Sequence, residues 1–214
     1  MTHAADLRAG LIAACRHLAD RGLSPGGSGS LAVRVGEDEL LVTPTGSSCS
    51  RVRPEELALV RLDGGPAPAT GPRPSKEAGL HRAVFAARPD ARAVVHLHAP
   101  FTVAVACLDP AAGGPHGTGP IPPLTPYQLM RLGRLPVVPY AAPGSAELAA
   151  AVGERAGTAD VLLLANHGSV VAAGSLERAV DLAEELEAAA RLHVTLLGAA
   201  PRLLTPEQVA ALRA

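Results

Sequence analysis

Three histidines and one glutamate stand out in this sequence for the chemistry they could do together. Glu77 falls in Pro74-Ser75-Lys76-Glu77-Ala78-Gly79-Leu80-His81. His96 and His98 close the run Ala93-Val94-Val95-His96-Leu97-His98, and His167 sits in Asn166-His167-Gly168. The run ending at His98 is short, apolar and β-branched, which predicts a buried strand. Alternate strand residues share a face, so His96 and His98 stand side by side. Both can then reach one metal ion at about 2.0–2.1 Å, given a further ligand from elsewhere. A histidine pair at this spacing also occurs as ordinary hydrogen-bonded residues. The second apolar run, Val161-Leu162-Leu163-Leu164-Ala165, leads to His167 before a glycine, a place where a polar group can face a cleft. With three such histidines a metal site is the better reading.

The element that must position Glu77 is a helix, predicted over residues 75–87 from the recurrence of Leu80, Val84 and Ala87. Ser75 or Pro74 stands at its mouth and Arg88-Pro89-Asp90 breaks it. Beside Glu77 stands Lys76, the only lysine among 19 basic residues. An arginine excess of this kind follows from base composition and needs no function. A lone lysine at the candidate site still suits an anion, because its ammonium is a compact, mobile donor.

The rest of the chain narrows the class. A length of 214 residues suits one large domain. Two Phe, two Tyr and no Trp leave the core to Ala, Val and Leu. The net charge of −1 gives no basic surface for nucleic acid or an anionic membrane, and no apolar run approaches bilayer length. The first residues lack a basic start followed by an apolar run, so a signal peptide is not expected there. Cys15, Cys49 and Cys107 lack metal-ligand spacing, and their odd number points to a reducing cytoplasm with buried, inert thiols.

In order, residues 4–20 read as an amphipathic helix stopped by Gly22. The loop Ser24–Ser30 feeds a strand at Leu31–Val35. It is either a plain connection or a cradle of backbone amides for a phosphate, and it lacks the spacing of the nucleotide-binding loops. Residues 36–39 turn a hairpin into Leu40–Thr43, and Pro44-Thr45-Gly46-Ser47-Ser48 is a second small-residue loop. A helical turn at Pro54 precedes the strand Ala58–Leu62, and residues 63–74 form a surface loop. A short helix is expected from Pro100 to Cys107, and a Pro- and Gly-rich loop over 109–126, whose His116 is assigned no role. Then come a helix at Glu147–Arg155, strands at Asp160–Ala165 and Val170–Ala172, a long helix over 175–197, and a final helix capped by Thr205. Hairpins early and crossovers later predict a mixed sheet with helices on both sides.

Taken together, the Gly-rich loop, Thr43-Pro44-Thr45-Gly46, Pro74-Ser75-Lys76-Glu77, Arg88-Pro89-Asp90, Val94-Val95-His96-Leu97-His98 and Ala165-Asn166-His167-Gly168 resemble the class II aldolase/adducin family over nearly the whole chain. The stretch from Leu124-Thr125-Pro126-Tyr127 through Met130-Arg131-Leu132-Gly133 to Leu135-Pro136-Val137-Val138-Pro139-Tyr140 is more similar to the 3-oxo-tetronate 4-phosphate decarboxylases than to the fuculose-phosphate aldolases. The resemblance implies one α/β domain over residues 1–214, with a central, largely antiparallel mixed sheet flanked by helices. It implies a homotetramer with active sites between subunits. It further implies zinc, or another divalent transition metal, on His96, His98 and His167, with Glu77 as a fourth ligand or as the acid/base. Tyr127 aligns with a tyrosine near a neighbouring subunit's metal, as an acid or orienting donor. A phosphate would rest on Gly29-Ser30, Thr45-Gly46 and Ser75-Lys76.

Loss of CO2 from a 3-oxo-4-phosphotetronate leaves an ene-diolate, whose charge a Lewis acid stabilises. Glu77 then protonates carbon and releases dihydroxyacetone phosphate, provided its surroundings raise its pKa toward neutrality. Aldol cleavage of a sugar phosphate, or a related dehydration, reaches the same kind of intermediate, so the donors alone leave decarboxylase and aldolase open. Two departures bear on the choice: Ser30 stands where the family usually has Asn, and no tyrosine follows Tyr140, which counts against an aldolase. An epimerase is expected to have Asp at position 77. A non-catalytic, adducin-like binding module is expected to lack the three histidines, and a Schiff base on Lys76 would leave them purposeless.

Overall fold

The computed structural model describes residues 2–65, 71–109 and 119–212, with side chains from residue 5. His116 lies outside them. Helix α1 (Thr2–Asp20) buries Leu11, Cys15 and Leu18, a stripe at three- and four-residue steps. It stops where Gly22 turns to a positive φ and the Leu23 N–H donates to the Leu18 carbonyl. Strands β1 (Ser30–Val35), β2 (Glu39–Val42) and β3 (Ala58–Arg61) form an antiparallel meander. Helix α2 (Ala78–Ala87) leads into β4 (Ala93–Leu97), and α3 (Pro100–Ala106) follows. After α4 (Pro126–Leu132) come β5 (Val137–Val138), α5 (Ala146–Ala156), β6 (Val161–Leu164), β7 (Gly168–Ala173), α6 (Leu176–Thr195) and α7 (Pro206–Ala211).

The seven strands lie in the order β3-β2-β1-β4-β7-β6-β5, antiparallel throughout except for β5 beside β6. The mixed, largely antiparallel sheet between helices is therefore as expected. Strand parity sorts the core into two layers. Leu31, Val33, Val95, Leu97, Leu163 and Val171 pack with α1, α3 and α6, whereas Ala32, Leu40, Val94, Leu162 and Val170 pack with α2 and α5. Each fully buried leucine contributes about 1.5–3 kcal/mol. Alanines 179, 183 and 190 on α6 are also buried, consistent with a core almost without aromatic rings.

Four details differ from the sequence reading. Helix α2 starts at Ala78, with Glu77 as its N-cap, not at Ser75. Residues 74 and 75 are instead held against the second loop: Pro74 bridges Pro44, and the Ser75 N–H donates to the Thr43 carbonyl. Helix α4 had no counterpart in the sequence reading. Its start, Thr125 capping the Gln128 N–H with Pro126 next, is the signal that Thr205-Pro206 gives for α7. Strands β6 and β7 form a hairpin, not a crossover. Cys15 and Cys49 are buried as expected, whereas Cys107 is exposed. Among the described residues, no helix is long and apolar enough to cross a membrane.

Candidate metal centre

The parity that sorts the core also aims His96. Val95 and Leu97 face α1, α3 and α6, so His96 faces α2, where Glu77 caps the helix. His98 follows the last residue of β4, and His167 occupies the β6–β7 turn. That turn runs tight against β4. Asn166 has a φ of 56°, and a Cβ at Gly168 would lie 2.3 Å from the Leu97 carbonyl, so only glycine fits. Gly29 likewise passes the His96 carbonyl, which a Cβ there would approach to 2.9 Å. Four side chains from three separate stretches of the chain thus share one point.

Glu77, His96, His98 and His167 each offer a donor atom, and all four lie within 4.8 Å of one another. His96 Nε2 is 2.9 Å from Glu77 Oε2 and 3.0 Å from His98 Nε2. The three rings meet edge-on, with centroids 4.7, 4.9 and 5.0 Å apart. His96 Nδ1 donates to the Ser169 carbonyl at 2.8 Å, which fixes the tautomer and leaves the Nε2 lone pair facing inward.

Unpaired atoms test whether these residues suit a cation. Among the described residues, Glu77 Oε1 and both ring nitrogens of His167 are buried without a hydrogen-bond partner, although His167 Nε2 lies only 3.3 Å from Glu77 Oε1. Buried polar atoms are rarely left so, and lone pairs converging on one point are what a divalent ion satisfies. Burial lowers His98 to about 4, with His96 and His167 acting in the same direction, so it stands as the neutral imidazole that a metal requires. The donor set fits.

The electrostatics correct one expectation. Burial works to raise Glu77, but His167 and His96 outweigh it and hold the carboxyl well below the usual carboxylate range. Glu77 is an ionised base in the metal-free protein, not a carboxyl raised toward neutrality.

The three small-residue loops do converge beside the cluster. The Thr45 N–H donates to the Arg73 carbonyl at 3.1 Å, and a Cβ on Gly27 would lie 3.3 Å from the Ser47 carbonyl. Gly46 takes a φ of 72°. Lys76 is exposed and near enough to oppose protonation of His98. Ser75 Oγ accepts from the Glu77 N–H at 3.2 Å. Ser30 is the exception. Its side chain is buried and bonded at 2.7 Å to His81, so its hydroxyl does not face a ligand as expected. Tyr127 stands on α4, exposed, its ring beneath the Arg131 guanidinium.

The sequence reading gave no role to Arg51 and Arg73, which line a hollow of about 550 Å³ with Thr45 and Gly46, nor to His81. None of the four clustered residues lines that hollow. His81 lies four residues after Glu77 and so on the same helix face, a signal present in the sequence.

The Class II Aldolase and Adducin N-terminal domain family matches residues 9–194. The chain is 42% identical over 194 residues to a Haemophilus influenzae 3-oxo-tetronate 4-phosphate decarboxylase, covering 91% of this chain and 90% of that one. It is 34% identical to an Escherichia coli L-fuculose phosphate aldolase, over 87% of this chain and 82% of the relative. The crystal structure of Escherichia coli YgbL, a candidate aldolase, epimerase or decarboxylase, superposes with a TM-score of 0.89 at 36% identity, covering 98% of each chain.

Proposed function

This chain belongs to the class II aldolase and adducin family, and on that premise we propose that it is a metal-dependent 3-oxo-tetronate 4-phosphate decarboxylase, releasing CO2 and dihydroxyacetone phosphate. The observation that carries the reading is the buried, partly unpaired set Glu77, His96, His98 and His167, in a chain whose relatives at 42% and 40% identity bear that activity in their names. Zinc is the proposed ion, since three imidazoles and one carboxylate are its usual donors. When bound, it supplies a Lewis acid for the negative charge that develops on the substrate oxygens as CO2 leaves.

The chain's own groups do the rest. His96, with its tautomer fixed by Ser169, together with His98 and His167 would present ring lone pairs to the ion. Glu77, held ionised, takes the substrate hydroxyl proton and returns it to the carbon that CO2 has left; the net proton comes from water. Lys76, Ser75 and the Thr45-Gly46 amides bind the phosphate, with Gly29 giving backbone only. We assign residues 1–214 to one domain acting as a cytoplasmic homotetramer, in which Tyr127 reaches the neighbouring subunit's site as an acid or orienting donor.

The aldolase reading shares every donor and is kept because of the 34% identical fuculose-phosphate relative. The first test is metal content per chain, wild type against His98→Ala. Near-stoichiometric zinc that falls sharply in the variant is expected, whereas a wild type that takes up no zinc overturns the reading. Product analysis then divides the two activities: chelator-sensitive release of CO2 with dihydroxyacetone phosphate supports the decarboxylase, and aldehyde without CO2 supports the aldolase.

A further inference from the structure

His81 and Ser30 form a buried pair that the reaction does not use. His81 is fully buried on α2, and its Nε2 lies 2.7 Å from Ser30 Oγ at the start of β1, 51 residues away in sequence. Its Nδ1 has no partner among the described residues. Each member is one step from a proposed metal ligand. The His81 N–H donates to the Glu77 carbonyl at 3.3 Å, one helical turn back. Ser30 is the cross-strand partner of His96. Glu77 and His96 are themselves in contact at 2.9 Å. The circuit therefore closes: carboxylate, helix turn, imidazole, hydroxyl, strand pair, imidazole, carboxylate.

We propose that the Ser30–His81 hydrogen bond is a positioning device for the metal centre, fixing the mouth of α2 against β1 and β4 so that Glu77 meets His96. This rests on the metal reading given above. Glu77 needs such support because its side chain makes no capping bond to α2, so the helix's own bonds hold its backbone and leave the aim of its carboxylate to the packing of α2 on the sheet. Both members are buried, so the bond is shielded from water. The bond gains strength from its dry surroundings, and either partner left alone is costly.

The discriminating substitutions follow from shape. Glutamine at position 81 carries an amide group out to the place of Nε2, whereas asparagine stops short. Zinc affinity, measured by competition with a chromophoric chelator, is expected to fall about 10- to 100-fold in Ser30→Ala and His81→Asn, and to stay within about threefold of wild type in His81→Gln. The double variant Ser30→Ala, His81→Phe removes both partners, so its Tm is expected to recover relative to the single variants, while zinc affinity and kcat stay low. Recovery of affinity together with Tm, or equal affinity in the Gln and Asn variants, overturns the proposal and reduces the pair to packing. A wild type that fails to bind zinc overturns instead the metal reading on which it stands.

Discussion

Helices α2 and α3 both begin against a glutamate, and the two carboxylates are treated in opposite ways. At α3, where Ala99 offers no side-chain cap, Glu187 of α6 accepts from the Phe101 N–H, the Thr102 N–H and the Thr102 hydroxyl at 2.9, 2.7 and 2.7 Å. Both its oxygens are used. At α2, Glu77 is the N-cap itself, faces a knot of imidazoles and keeps a buried oxygen without a partner. Both carboxylates enjoy the positive end of a helix. Only one is finished. A satisfied, half-buried carboxylate such as Glu187 is fixed structure, and the buried, unsatisfied Glu77 is a group held ready for something else.

The largest expected effect divides the pair by function. Glu77→Gln is expected to lower kcat by roughly 100- to 10,000-fold with little change in Tm, and steady-state kinetics beside calorimetry will read both. A variant that keeps its kcat would remove Glu77 from the chemistry and erase the contrast. Glu187→Gln is expected to do the reverse. Losing a charged acceptor shared by three donors costs about 1.5–3 kcal/mol, a Tm fall of roughly 3–12 °C, while kcat at a permissive temperature is retained. Thr102→Val removes one of those donors and sharpens the comparison at about 0.5–1.5 kcal/mol.

The last expected effect is a slope that belongs to the Glu77 end. His81 and His98 titrate at about 3 and about 4, below the ordinary 6.5, because burial disfavours their cations. Between those values the unfolded chain binds more protons than the folded one, so stability rises with pH. Glu77, depressed from 4.5, adds a slope of the same sign at more acid pH. The metal-free protein is therefore expected to lose Tm steadily as pH falls from 6.5 toward 4. A flat profile across that window would show that the buried histidines are not held neutral.

Much of this was legible along the chain. The apolar run Ala93–Leu97 fixed a strand, the two-residue period placed His96 and His98 together, and Asn166-His167-Gly168 marked a turn able to expose a ligand. Thr205 showed its helix start by side-chain chemistry alone. Thr125-Pro126 carries the same signal for α4, masked by the Pro- and Gly-rich stretch that precedes it. The misplaced start of α2 has a different cause: Ser75 is drawn off the helix by the Thr43 carbonyl, a partner 32 residues away that no local rule contains.

The sequence by itself determined the donor set and the periodicities, because side-chain chemistry and the alternation of strands and helices are local properties. Tertiary structure alone decided which donors remain unpaired. The sheet order β3-β2-β1-β4-β7-β6-β5 sets β1 beside β4, and that adjacency turns Ser30 from a ligand-facing hydroxyl into the partner of His81. The packing of α6 on α3 satisfies Glu187 across 85 residues of chain, while nothing comparable reaches Glu77 Oε1. The physical reason is that the demands of a buried polar atom are set by its neighbours in space, and those neighbours are chosen by strand order and helix packing.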